Sequence, residues 1–261
     1  MVSSLVTLPG RSDSKNLHFL TNARNSPYGL PVVDNCKSCT LRNANYSCAL
    51  STKSLAGLDR VKHATAYPEG ALLFVEGQVP RGIYILCQGR AKLMATNRDG
   101  KTFIMKIAEP GEILGLHAAI SGKPYELTVE TLQPSQLAFV AREDFLLWLQ
   151  QNGDACLQAA TQLSKDCQSA YDVIRSIGLS HSVTEKLARL LLQWSSDAKM
   201  VDGALRLKLA LTHEEMAQLI GTTRETVTRI LGQLKKQSIL EVKGSSLTIK
   251  NRAALERLTE S

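Results

Sequence analysis

Residues 211–229, LTHEEMAQLIGTTRETVTR, constrain this chain more than any other stretch, because they read as two short helices meeting at a tight turn. Thr212 followed by Glu215 has the spacing of a capping box, which satisfies two orphan backbone donors at a helix start. Met216, Leu219 and Ile220 give this first helix one apolar edge. Gly221 can take the left-handed conformation that ends a helix at little steric cost. Thr222 and Glu225 repeat the capping-box spacing, so a second helix is expected to open there. On it Val227, Ile230, Leu231 and Leu234 recur at helical spacing and should face a core. That leaves Arg224, Glu225, Thr228 and Arg229 on the exposed face, next to Thr223 at the helix start.

A helix that enters the major groove needs this layout, since its first turns carry the groups that reach base edges. Arg binds guanine O6 and N7 bidentately, and Glu accepts from cytosine N4. Lys235 and Lys236 then close the second helix with the cations its dipole favours. Apolar runs at residues 239–242 and 247–249 bracket Lys243-Gly244-Ser245-Ser246, the pattern of a β-hairpin. Two helices and a hairpin make a winged helix-turn-helix, with Lys243 and Lys250 placed for phosphate. Double-stranded DNA is the partner this end of the chain predicts.

The 261 residues suffice for two units with cores of their own. Lysine and arginine number 31 against 24 acidic residues, and the formal charge of +7 suits a polyanion. Nowhere is there an apolar run long enough to span a membrane, and the first residues lack the pattern of a secretory signal, so a cytoplasmic location is expected. In that compartment six cysteines point to metal, redox chemistry or plain packing before disulfides. No catalytic triad, phosphate-cradling loop or paired-carboxylate site stands out, so no enzymatic activity is expected.

Residues 1–35 are rich in Ser, Asn, Pro and Gly, lack periodicity, and are expected to be poorly ordered. Short β-prone runs with glycines between them fill residues 66–139, for example at 72–75, 82–86 and 103–107, which predicts an antiparallel jelly roll. Asn97-Arg98-Asp99-Gly100 reads as a hairpin tip. After residue 145 the pattern turns helical. Cys156, Ala160, Leu163, Cys167, Ala170, Ile174 and Ile177 alternate in steps of four and three, an a/d seam that predicts a helix paired with its twin in a homodimer. Residues 178–182 interrupt that pattern as a hinge, and a further helix spans residues 183–194.

The order of jelly roll, long helix and winged helix-turn-helix resembles the Crp/Fnr family of transcription regulators. The resemblance covers residues 55–255 and is most specific at GTTRETVTRILGQLKKQSIL (221–240) and PGEILGLHAAISG (110–122). It implies an α+β fold in four parts: a tail with cysteines (1–54), a cyclic-nucleotide-binding-like β-barrel (55–150), a dimerisation helix (151–180) and a winged helix-turn-helix DNA-binding domain (181–261). It also implies base reading by Arg224, Glu225 and Arg229 on a half-site resembling TGTGA, a further base-facing position at Thr228, and RNA polymerase as a partner. Regulators of this family that bind cyclic AMP carry a Gly-Glu pair for the ribose, an Arg-Ser pair for the phosphate and a Thr-Ser pair for the adenine. The matching residues here are Gly115-Leu116, Tyr125-Glu126 and Tyr171-Asp172, so cyclic AMP is disfavoured.

Cys36, Cys39 and Cys48 form C-x2-C-x8-C, and thiolates two residues apart can share one soft metal or cluster. Oxygen sensors resembling Fnr hold an iron–sulfur cluster with three N-terminal cysteines and one from the barrel. The barrel position that matches the fourth ligand reads as Ser135, and Cys87 is the next candidate. Four readings stand side by side: an iron–sulfur cluster completed by Cys87 or a non-cysteine ligand, zinc, a thiol switch, or no metal. Cys156 and Cys167 read as small apolar seam residues. The resulting expectation is a DNA-binding regulator that responds to oxygen, redox state or another small signal. Its rivals are a redox or metal-binding protein with secondary DNA binding, and a regulator without an effector.

Overall fold

A computed structural model describes residues 27–30, 35–39, 48–179, 182–195, 199–201, 204–208, 211–243 and 246–259. Most of the tail expected to be poorly ordered, together with Gly244 and Ser245 of the wing, lies outside these residues.

The first helix, α1 (Thr52–Val61), was not expected from the sequence. Ser51 caps it by accepting from the Ser54 amide, and Leu55 and Leu58 form its buried edge. Eight antiparallel strands follow: β1 (Lys62–Tyr67), β2 (Leu72–Phe74), β3 (Gly82–Gln88), β4 (Ala91–Thr96), β5 (Thr102–Ala108), β6 (Ile113–Leu114), β7 (Thr128–Thr131) and β8 (Ser135–Ala141). A short helix, α2 (Leu116–Ser121), sits between β6 and β7. The strands form two sheets, ordered β1-β8-β3-β6 and β2-β7-β4-β5, which is the expected jelly roll. Residues 97–100 make the β4–β5 turn, where Gly100 takes φ 81°.

Side chains on a strand alternate between its faces, and in β3 this separates two cores. Leu86 turns inward to pack with Phe74, Leu114, Val129 and Leu137 between the sheets. Ile83 and Ile85 turn outward onto Leu55, Leu58, Phe145 and Trp148. These last two belong to α3 (Arg142–Gln151), which leads into the 27-residue α4 (Gly153–Leu179). Gly178 and Leu179 continue that helix instead of opening the expected hinge, and Ser180 and His181 lie outside the described residues.

Two polar clamps fix α4 to the barrel. The buried Gln162 amide accepts from Ile113 N at 2.9 Å and donates to Ile113 O at 2.8 Å. At the start of α4, Asp154 Oδ1 lies 2.5 Å from the Ser54 hydroxyl, and Trp148 Nε1 donates to Ser54 O at 3.0 Å. α1, α3 and α4 are thereby tied to one another.

The C-terminal unit contains α5 (Val183–Ser195), β9 (Lys199–Val201), β10 (Ala204–Lys208), α6 (His213–Ile220), α7 (Arg224–Lys236), β11 (Leu240–Lys243), β12 (Ser246–Ile249) and α8 (Arg252–Arg257). The expected wing hairpin is one half of a four-stranded sheet, β11-β12-β10-β9. Leu187, Leu191, Met216, Val227, Ile230, Leu234 and Leu247 build its core.

Candidate functional site

The helix pair forms as its residues dictate, with one shift. At the start of α6 the capping box is closed: Glu215 N donates to Thr212 Oγ1 at 3.2 Å, and Thr212 N donates to Glu215 Oε2 at 2.8 Å. Gly221 ends α6 in the left-handed region at φ 69°. The second capping box does not form. Thr222 is spent in the turn, where its amide donates to Ala217 O at 2.9 Å, and Thr223 becomes the cap by accepting from Thr226 N at 3.3 Å. Arg224 and Glu225 are therefore the first two residues of α7.

Val227, Ile230, Leu231 and Leu234 are buried, while Arg224, Glu225, Thr228 and Arg229 are exposed. Among the described residues neither Arg224 nor Arg229 has an acidic partner, so both guanidinium groups are available to an anionic ligand. Thr228 is held differently: its hydroxyl donates to Arg224 O at 2.9 Å and lies 2.9 Å from His213 Nδ1. It thus ties α7 to α6, a role no sequence signal announced. Lys250, expected near phosphate, pairs with Glu241 at 2.8 Å. Lys243 ends β11, but its side chain lies outside the described residues.

The barrel touches this helix pair. Lys92 of β4 bridges Glu130 at 2.9 Å and Glu215 of α6 at 3.5 Å. The Phe103 ring packs beside the turn, 3.5 Å from where a Cβ on Gly221 would stand.

The cysteines come from three separate places. Cys36 opens a single 3-10 turn, Cys36–Ser38, and the amide of Cys39 closes it by donating to Cys36 O at 3.3 Å. Cys48 lies just ahead of α1. Cys87 sits where β3 bulges against β8, between Leu86 and Gln88. Cys48 is buried in the helix-facing core, with Cys36 and Cys87 packed against the same core. Burial pushes the Cys48 and Cys87 thiols up to about 12, and both feel Cys36 and Cys39, so all four share one neighbourhood. Among the described residues no three His, Cys, Asp or Glu side chains converge as a preformed metal-ligating group. Ser135, the position first matched to a fourth ligand, spends its hydroxyl on Gln133 O at 2.7 Å.

Residues 64–152 match the cyclic nucleotide-binding domain, and residues 185–258 match the Crp-like helix-turn-helix domain. The chain belongs to the Crp/Fnr family. It is 23% identical over 188 residues to the cAMP-activated global transcriptional regulator CRP of Pasteurella multocida, covering 72% of this chain and 90% of that protein. Among solved structures it resembles FixK2 from Bradyrhizobium japonicum, with a TM-score of 0.66 and 23% identity over 76% of this chain and 97% of that one. It also resembles a CooA variant from Carboxydothermus hydrogenoformans, with a TM-score of 0.69 and 21% identity over 88% of this chain and 98% of that one. This Crp/Fnr protein is a DNA-binding transcription regulator, and the relatives it matches are regulators rather than enzymes. Among the described residues no helix is long and apolar enough to cross a membrane.

Tyr125, which the sequence matched to the phosphate-pairing residue of cyclic AMP-binding members, is buried in the barrel. The ring stacks on Phe74 with centroids 3.9 Å apart, and its hydroxyl donates to Gly82 O at 2.7 Å. It lies so close to Gly115 that a Cβ there would stand 2.7 Å from Cε1. Glu126 faces His117 at 3.6 Å. A neighbouring cavity of about 770 Å³ is lined by Tyr67, Phe74, Arg81, Tyr84, Tyr125 and Phe139.

Along α4 the expected seam residues Ala160, Cys167 and Ile174 are exposed, and Ala170 is half-buried. Leu163 instead packs against the barrel core, and the Ile177 side chain lies outside the described residues. Leu157, Tyr171 and Leu179, which the heptad pattern did not include, add to the exposed apolar surface of the helix.

Proposed function

We propose that this regulator binds DNA as a homodimer paired along α4, reads bases with Arg224, Glu225 and Arg229, and takes its signal at a centre formed by Cys36, Cys39, Cys48 and Cys87. The observation that carries the sensory part is the meeting of three cysteine-bearing segments, distant in sequence, at one core. Four thiols suit an iron–sulfur cluster, which would supply redox and oxygen sensitivity. Cys87 replaces a ligand from β8, because β3 runs beside β8 and its bulge lies at the same core.

The route to DNA runs through packing. The core that receives Cys48 also holds Ala155 and Ala159 of α4. Moving the cysteine segments therefore changes the packing of the dimer helix. Such a change matters only through unequal binding to the active and inactive states. Tyr125 places no cation where a cyclic phosphate would sit, which argues for an effector other than cyclic AMP. The aromatic cavity with Arg81 supports a second reading, a small anionic ligand bound in the barrel. RNA polymerase as a partner, a cytoplasmic location and part boundaries near residues 54, 150 and 180 complete the reading.

The test is the absorption spectrum, with iron and sulfide content, of protein purified without oxygen. Broad visible absorption with matched iron and sulfide, lost in a Cys87→Ser variant, is the expected result. Iron-free protein would overturn the cluster and leave the barrel ligand as the better reading.

A further inference from the structure

Lys62, the first residue of β1, keeps only 6% of its side chain exposed. An ammonium group withdrawn from water to that degree requires partners. It has two: Lys62 Nζ stands 2.8 Å from Asp59 Oδ1 and donates to Cys36 Sγ at 2.9 Å. Asp59 Oδ1 in turn accepts from the Cys36 amide at 3.1 Å. The carboxylate thus fixes both the cation and the backbone of the first cysteine. Lys62 also acts electrostatically on Cys48 and Cys87, so its charge reaches beyond Cys36.

While the thiols are protonated, Asp59 is the acidic partner of Lys62 among the described residues. Ligation changes the balance. Thiolates bind metals in deprotonated form, and four of them outweigh the charge of a divalent ion or an oxidised four-iron cluster. The centre then carries net negative charge in a buried place, where uncompensated charge is costly. We propose that Lys62 is the built-in counter-ion of the cysteine centre, donating to Cys36 Sγ and offsetting the negative charge that the thiolates bring when they ligate a metal. This rests on the four-cysteine reading above. Lys62 is a positioning residue rather than a ligand. Outer hydrogen bonds of this kind orient a ligand and set the electronic character of the metal it holds.

The probe is cobalt(II) alone, titrated without oxygen into reduced, chelator-treated, full-length protein. Wild type is expected to develop intense thiolate-to-cobalt absorption. Lys62→Met and Lys62→Gln should keep these bands with affinity lowered by about 10- to 100-fold. Lys62→Arg should recover part of the loss. Asp59→Asn, which keeps the cation beside Cys36 and removes its rival anion, should bind cobalt at least as tightly as wild type. Wild type without thiolate bands would overturn the four-cysteine reading itself. Bands in wild type with unchanged affinity in Lys62→Met would overturn the role of Lys62 alone. Equal weakening by Asp59→Asn and Lys62→Met would do the same, by reducing the pair to a structural ion pair. Far-UV circular dichroism of every variant separates lost binding from lost folding.

Discussion

Ile174→Asp tests the dimer seam on α4. Ile174 is 62% exposed in the single chain, so it contributes little to the fold of one protomer. Fully burying an isoleucine side chain stabilises by about 1.5–3 kcal/mol, and covering the exposed part recovers roughly 1–2 kcal/mol. A two-fold axis along α4 buries two copies, which doubles this to roughly 2–4 kcal/mol. Aspartate forfeits that gain and adds the desolvation of two carboxylates facing each other, about 1–3 kcal/mol or more. The dimer should therefore weaken by about 4 kcal/mol or more, on the order of a thousandfold in Kd. Light scattering at micromolar concentration should report a monomer, with circular dichroism unchanged. A variant that remains a dimer with wild-type affinity would refute the seam and move the interface elsewhere.

Arg229→Ala should cost about 1–3 kcal/mol on the cognate site and relax discrimination at one base pair, measured by fluorescence anisotropy against single-base variants. Equal loss on cognate and random duplex would reduce Arg229 to a phosphate contact. Because Thr223 and not Thr222 caps α7, Thr223→Ala should lower stability by about 1 kcal/mol in urea denaturation, while Thr222→Ala should cost distinctly less. The reverse order would mean that the shifted cap is wrong. The Asp154 carboxyl is held down to about 2, first by its hydrogen bond from the Ser54 hydroxyl. Its contribution is therefore fully present above its ordinary value of 3.8 and lost as pH falls from there through about 2. Asp154→Asn should show a smaller loss of stability across that window, and a pH profile parallel to wild type would contradict the assignment.

The DNA-reading unit was legible because its signals are local. A capping box, a turn glycine and an apolar stripe all fall within 19 residues, 211–229, and each acts over a turn or two of chain. The shifted cap shows the limit of that reading. Two adjacent threonines offer two possible caps, and the geometry of the turn, not the spacing, selects Thr223. α1 went unrecognised although its cap Ser51 and the Leu55–Leu58 step both stand in the sequence. The gathering of Cys36, Cys48 and Cys87 at one core lies beyond local reasoning. Cys87 reaches the neighbourhood of Cys36 and Cys48 only through the pairing of β3 with β8 and the bulge there, a register no sequence window contains. The same holds for Lys62, whose partner Cys36 is 26 residues away.

The most direct test of the account compares DNA affinity of one anaerobic preparation before and after exposure to air. Fluorescence anisotropy would use a palindromic duplex with half-sites resembling TGTGA beside a scrambled control. The account predicts specific binding without oxygen that is lost on exposure to air together with the visible absorption. Affinity unchanged by air would contradict control of DNA binding from the cysteine centre.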